Sequence, residues 1–269
     1  MTKAAGEYGR VRLARENSAA LEPALAEPSP RAEPANLVTA GPEMAGPELV
    51  TAGPEMAGPE LVTAGPEMAR PELVTTGPEL TELEFAVIDL ETTGWSPEAA
   101  AIMEIAAVRV CGGRLRGEFA SLVNPGIAVP TGIEDLTGIS DWMLAAAPKL
   151  PAVLPGLLDF ADGCVLVAHN APFDIGFLRA ACAECGVVWP RFTVLDTVML
   201  ARQLMDPDEI PDCKLGTLAG FFRARTAPSH RALADARATA DVLGWLIRRL
   251  THHGIRTLDE LQAWPQVVA

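Results

Sequence analysis

The chain has 269 residues, of which 49% are hydrophobic, and carries a formal net charge of −14. This length and apolar content fit a globular protein with a real core, as one substantial domain or two small ones. The net acidity argues against a nucleic-acid binder that grips phosphates through a uniformly basic surface.

The acidity is uneven, and the chain order explains why. Residues 1–36 are rich in Ala, Glu and Pro and are expected to be poorly ordered. From 37 a twelve-residue repeat begins: "LVTAGPEMAGPE" at 37 and 49, "LVTAGPEMARPE" at 61, and a degraded "LVTTGPELTE" at 73. Prolines this frequent break any helix, and each unit has only one short apolar cluster to bury. Residues 37–84 hold nine Glu and one Arg, so the segment reads as a self-repelling disordered linker. A docking tail for a partner is the alternative for the same composition. The disordered N-terminal extension is therefore set at 1–84.

At Phe85 the texture changes. "FAVIDL" reads as a strand, followed by strands at 101–111 and 114–124 joined by the "GG" turn. A short helix and loop are expected at 132–140, and a helix at 147–163 despite its prolines. A fourth strand follows at 164–170. Residues 171–186 have Pro172 near the start and Gly186 at the end, the asymmetry of a helix. A short strand at 192–197 and a helical stretch after it lead to a last long helix near 231–250. There the apolar positions 233, 236, 240, 243, 247 and 250 describe one buried face. A strand meander followed by strand–helix units predicts an α/β domain over 85–250, a mixed sheet flanked by helices, with a C-terminal helical tail at 251–269. His252 and His253 are expected to finish the long helix, where cations suit the C-terminus.

The five cysteines are odd in number and mostly set in apolar runs, the pattern of reduced thiols rather than a secreted disulfide framework. Cys182 and Cys185 form a C-x-x-C inside an expected helix, without a second ligand pair, and read as a packed helix face. No apolar run reaches the ~18 residues of a membrane span, and the N-terminus lacks a signal-peptide core. The expectation is a cytoplasmic protein without membrane attachment.

Chemistry concentrates in three places. In "FAVIDLETTG" Asp89 and Glu91 stand at i and i+2 near the end of a strand and project from the same face. Alone they would repel, and a hard divalent cation such as Mg²⁺ removes that problem. On the dipeptide alone, a strand fraying into solvated acids serves equally well. In "VAHNAPFD" Asp174 falls in the first turn of a helix, where the dipole favours its charge, although acids are common there. In "SHRALAD" His230 precedes the last helix, and Asp235 lies about 110° from the centre of the apolar stripe, at the edge of the buried face. A histidine with an ordinary pKa of ~6.5 can take a proton from water near neutral pH.

Together "DLETTG", "HNAPFD" and "HRALAD" resemble the three motifs of the DEDDh (DnaQ-like) exonucleases, a family that includes the proofreading epsilon subunit of DNA polymerase III and the exonuclease parts of PolC-type polymerases. The resemblance covers about 85–250, including "IMEIAAVRV" and "LTGIS", with none of the four acids or the histidine missing. It implies an RNase H-like fold with a five-stranded sheet and a 3′→5′ exonuclease releasing nucleoside 5′-monophosphates with two Mg²⁺ or Mn²⁺ ions. Asp89 would bridge both ions, Glu91 and Asp235 would hold the nucleophile-side ion, Asp174 would support the other, and His230 would deprotonate the attacking water. Thr92 and Thr93 would approach the terminal nucleotide, with Asn170 and Phe173 lining its sugar or base. For these four a turn, a cap and a core ring are the ordinary alternatives. The implied partners are nucleic acid with a free single-stranded 3′ end and a DNA polymerase or repair complex, in replication or repair.

Residues 214–256, with eight Lys/Arg against two Asp, are expected to track the strand's phosphates. Two other readings compete. One is an exoribonuclease that trims RNA, which sequence does not separate from a DNA enzyme. The other is a non-catalytic nucleic-acid- or polymerase-binding module, which a lost acid or histidine would favour.

Overall fold

The computed structural model describes residues 12–13 and 77–264. The repeats, and the expectations of a disordered linker or a docking tail attached to them, lie outside the described residues.

Three antiparallel strands open the domain: β2 (Glu84–Thr92), β3 (Ile102–Cys111) and β4 (Arg114–Leu122). The β3–β4 connection is the two-residue turn Gly112–Gly113, both at positive φ, which only glycine adopts without cost. β5 (Val165–Ala168) and β6 (Val194–Asp196) then run parallel to β2, because a helix intervenes before each. The order β4-β3-β2-β5-β6 makes the expected five-stranded mixed sheet of the RNase H-like type, and β1 (Arg12–Leu13) pairs with β4 as a sixth, two-residue edge strand.

The helices divide between the two faces. α3 (Leu150–Ala161) and α4 (Ala171–Glu184) cover Ala86, Ile88 and Leu90 of β2. On the other face α5 (Thr197–Leu204), α6 (Leu215–Phe221) and α7 (Ala232–His252) cover Phe85 and Val87. The period of two continues: Asp89 and Glu91 follow Phe85 and Val87 onto the α7 face. α1 (Thr131–Thr137) and α2 (Asp141–Ala145) pack over Met103 and Leu122. Cys182 is buried in the α4 core and burial pushes the thiols of Cys182 and Cys185 up, consistent with a packed helix face.

Two expectations need correction. Residues 77–84, placed in the disordered extension, belong to the domain. Leu80 is 1% exposed, its N–H donates to the Arg256 carbonyl at 2.7 Å, and Glu79 bridges Thr257. The C-terminal α8 (Leu258–Ala263), closed by a Thr257–Glu260 capping box, completes this corner. The Glu- and Pro-rich composition hid one leucine that the core needs.

The second concerns α7. Leu233 and Ile247, predicted on its buried face, are only partly covered, while Val242 and Leu246 are fully buried. The buried arc is wider and rotated because α7 meets both the sheet and helices α5 and α6. Asp235 therefore stands in line with Thr239, Val242, Leu246 and Leu250, on the buried face rather than at its edge.

Candidate active site

The site forms at the carboxyl ends of β2 and β5, where antiparallel and parallel halves of the sheet meet, the usual place for a crevice in open α/β sheets. β2 carries Asp89 and Glu91, and a register shift at Glu91/Thr92 ends its regular pairing with β3. α7 brings Asp235 down onto them. One carboxylate oxygen from each of Asp89, Glu91 and Asp235 lies within 4.8 Å of the others.

Asp174 enters from the opposite face. β5 ends at Ala168, and Asn170 turns the chain in the left-handed region at φ 70° to start α4. Asp174 in its first turn is buried, and its Oδ1 accepts the Leu90 N–H at 3.1 Å, which ties α4 to the end of β2. It stands outside the trio, so the structure gathers three of the four acids at one point and sets the fourth apart, within electrostatic reach of Asp89.

The electrostatics show what this arrangement lacks. Burial, then the carboxylates of Asp174, Asp235, Glu91 and Glu104, push Asp89 well above the ordinary carboxylate range. Glu91 is pushed up to about 8, first by burial and then by Asp235 and Glu104, with Arg231 opposing. Burial also raises Asp174 and Asp235, against backbone N–H groups that lower them, Leu90 for the first and Ser229 for the second. Carboxylates so placed shed their protons readily only when a cation joins them, and all-oxygen donors suit a hard divalent ion.

His230 is exposed and held at φ 55°, a conformation that costs a non-glycine residue on the order of 1 kcal/mol. Asp235 Oδ1 accepts the Ser229 N–H at 2.7 Å, so the acid that joins the trio also fixes the turn carrying the histidine.

The predicted nucleotide contacts are placed unevenly. The Thr92 hydroxyl donates to the Gly94 carbonyl at 2.6 Å, and Thr93 exchanges hydrogen bonds with Ala101 through backbone and hydroxyl, so both threonines close the 93–101 loop. Asn170 is exposed and its side chain makes no capping bond. Phe173 is half-buried between Phe177, at 5.0 Å between centroids, and Trp95, at 6.4 Å edge-on. Trp95, 78% exposed directly after the first motif, escaped the sequence reading. A tryptophan in a turn beside the acids was the available signal.

Residues 214–256 also require revision. Arg225 pairs with Asp241, Arg231 with Glu104, Arg237 with Glu118, Arg249 with Glu209 and Lys214 with Asp212. Most of the basic stretch is thus spent on acids, several of them distant in sequence. Of its eight Lys/Arg, Arg223, Arg248 and Arg256 have no ion pair among the described residues, and Arg248 lies over the Trp245 ring.

Residues 86–243 match the profile of the exonuclease family RNase_T. A Mycobacterium tuberculosis protein named for bifunctional exonuclease/endonuclease activity is 50% identical over 189 residues, covering 68% of this chain and 29% of that protein. A PolC-type DNA polymerase III of Caldanaerobacter subterraneus is 40% identical over 182 residues, covering 68% of this chain and 13% of the polymerase. The chain thus spans less than a third of the length of these relatives. Among solved structures, E. coli exonuclease I in complex with a dT13 oligonucleotide shares the fold (TM-score 0.57, 18% identity, 64% of this chain and 43% of that one). So does the nuclease domain of 3′hExo, a DEDDh family member bound to rAMP (TM-score 0.54, 20% identity, 66% of this chain and 96% of that one). With its sheet, its acids and this family match, the chain belongs to the exonuclease family, as a nuclease of the DEDDh, DnaQ-like type.

Proposed function

We propose that the chain is a metal-dependent 3′→5′ exonuclease that removes nucleoside 5′-monophosphates from single-stranded 3′ ends, with DNA as its substrate. The observation that carries this reading is the convergence of Asp89, Glu91 and Asp235 within 4.8 Å, beside a turn that presents His230. Asp89, Glu91 and Asp235 would hold one divalent ion, with Asp89 and Asp174 available for a second. Bound ions would neutralise charge on the scissile phosphate and on the attacking and leaving oxygens.

His230 accepts a proton from water on a ring nitrogen as the water oxygen bonds to phosphorus. The bond from phosphorus to the 3′ oxygen of the preceding nucleotide breaks, and that oxygen takes a proton from solvent. Asp235 orients the His230 turn, and Asn170 and Phe173 face the terminal nucleotide. The PolC-type relatives favour DNA and a polymerase or repair complex as the setting.

The test is hydrolysis of 5′-labelled single-stranded DNA and matching RNA by the purified chain, with Mg²⁺, with Mn²⁺ and with chelator. A metal-dependent ladder shortening from the 3′ end is expected, faster on DNA, and His230→Ala should slow it by ~10²–10⁴-fold, the range for a lost general base. RNA shortened faster would reassign the substrate. Strands bound but never shortened would leave the non-catalytic binding module as the better account.

Trp95 supplies a second expectation. Its exposed ring, braced by Phe173, offers a base a stacking surface worth about 1–3 kcal/mol. Trp95→Ala should raise KM for an oligonucleotide about tenfold and leave kcat within a factor of two or three, since stacking is made equally in ground and transition states. A fall in kcat at constant KM would place Trp95 in the chemistry instead.

A further inference from the structure

Glu104 lies on β3 directly opposite Glu91 in the sheet register and is 6% exposed. Its carboxylate is fully engaged with the segment that opens α7. Oε2 accepts Arg231 Nε at 3.0 Å and the Ala232 N–H at 3.0 Å, while Oε1 accepts Arg231 Nη2 at 2.8 Å. Ala232 is the first residue of α7, whose own N-cap, Arg231, makes no side-chain cap. Glu104 therefore does from another strand what a capping side chain does locally, satisfying an orphan amide at the positive end of the helix.

The consequence lies in what sits between its partners and those of Asp235. Ser229 is held by Asp235, Arg231 and Ala232 are held by Glu104, and His230 is the residue between them, in the left-handed conformation. We infer that Glu104 is a positioning residue: through its forked pair with Arg231 and its bond to the Ala232 amide, it fixes the His230 turn and the start of α7 over the β2 acids. The inference rests on the reading of the site given above.

As a stabilising device alone, Glu104 is a poor choice. It adds a further carboxylate to a buried acidic cluster and makes Asp89 and Glu91 harder to ionise. Buried ion pairs gain little over apolar packing, and their best-attested use is to fix one geometry. The same helix carries a comparison two turns along. Arg237 makes an equally forked pair with Glu118 of β4, at 2.7 Å for each bond, away from the acids. Any effect of merely pinning α7 to the sheet should appear at both pairs.

The experiment compares Glu104→Gln, Arg231→Lys and Glu118→Gln with the wild-type chain and with His230→Ala. It reads kcat and KM on a 5′-labelled oligonucleotide with Mg²⁺, thermal midpoints, and backbone amide NMR of 229–232. Glu104→Gln keeps the size and one acceptor but loses the charged fork, and kcat is expected to fall about 10–100-fold with KM within threefold. Arg231→Lys keeps the charge without the planar fork and should lose kcat as well. Glu118→Gln should lower the midpoint and leave kcat unchanged. Equal kcat in the Glu104 and Glu118 variants would overturn the inference, as would full activity in Arg231→Lys. If the wild type and His230→Ala are equally inactive, the reading of the site fails by itself and the NMR decides on the clamp. Amides of 229–232 that broaden in Glu104→Gln but not in Glu118→Gln support it, and amides that stay sharp in both refute it.

Discussion

Replacing Asp89 with asparagine is expected to abolish strand shortening while raising the melting temperature of the metal-free protein. The loss follows from position: Asp89 belongs to the oxygen trio and stands next to Asp174, so it serves any ion bound there. A fall on the order of 10³-fold or more is expected for removing a shared metal ligand. The gain follows from the same crowding. Without a cation, Asp89 is buried and set against Asp174, Asp235, Glu91 and Glu104, so at neutral pH the fold must either keep it protonated or bear a buried, repelled charge, and either costs energy. An amide of the same shape removes one member of every pair. Each 1 kcal/mol of relief would raise the midpoint by roughly 2–4 °C in a domain of this size. Calorimetry in chelator and then in Mg²⁺ checks both halves, because the variant should also lose most of the stabilisation that Mg²⁺ gives the wild type. A metal-free midpoint below that of the wild type would show that the acids do not oppose one another.

The fall of stability with rising pH expected of the metal-free protein should flatten once a divalent ion is bound. Glu91 titrates in the fold at about 8 against an ordinary 4.5, so the folded state holds its proton more tightly than the unfolded chain does. That contribution is fully present below pH 4.5 and is lost as pH rises through 8, so the metal-free midpoint should fall across this window, on the order of a few kcal/mol in total. Asp89, Asp174 and Asp235 are raised too and act in the same direction. A divalent ion competes with these protons, so its affinity climbs with pH until the ligands are ionised. The increment in midpoint on adding Mg²⁺ should therefore be small near pH 5.5 and largest at pH 8–9. Calorimetric titration at two pH values should show protons released on binding. An increment independent of pH would mean that the acids are already ionised without metal.

The acids and the histidine stand out as candidates because the signal for each is local. Asp89 and Glu91 share a face by strand alternation, and Asp174 follows a strand–turn–helix pattern confined to ten residues. Glu104 was invisible for the opposite reason. In "IMEIAAVRV" it reads as a stray polar residue in an apolar strand, and only the pairing with Glu91 and the reach of Arg231 across 127 positions give it meaning. An acid inside so apolar a run is costly without a partner, and that cost was the one available hint. The pairing of the basic stretch is not legible from charge along the chain, because Glu118 and Glu209 reach Arg237 and Arg249 only after folding. Leu80 was lost among Glu and Pro, where composition outweighed a single apolar residue.

The Glu79–Thr257 bridge has an architectural meaning. The segment that leads into β2 and the one that follows α7 run side by side, at the end of the sheet where β2 begins. The acids stand toward the other end, roughly 17–23 Å along that nine-residue strand. Whatever is joined to the chain at that corner sits a strand's length from the acids and leaves their cleft clear.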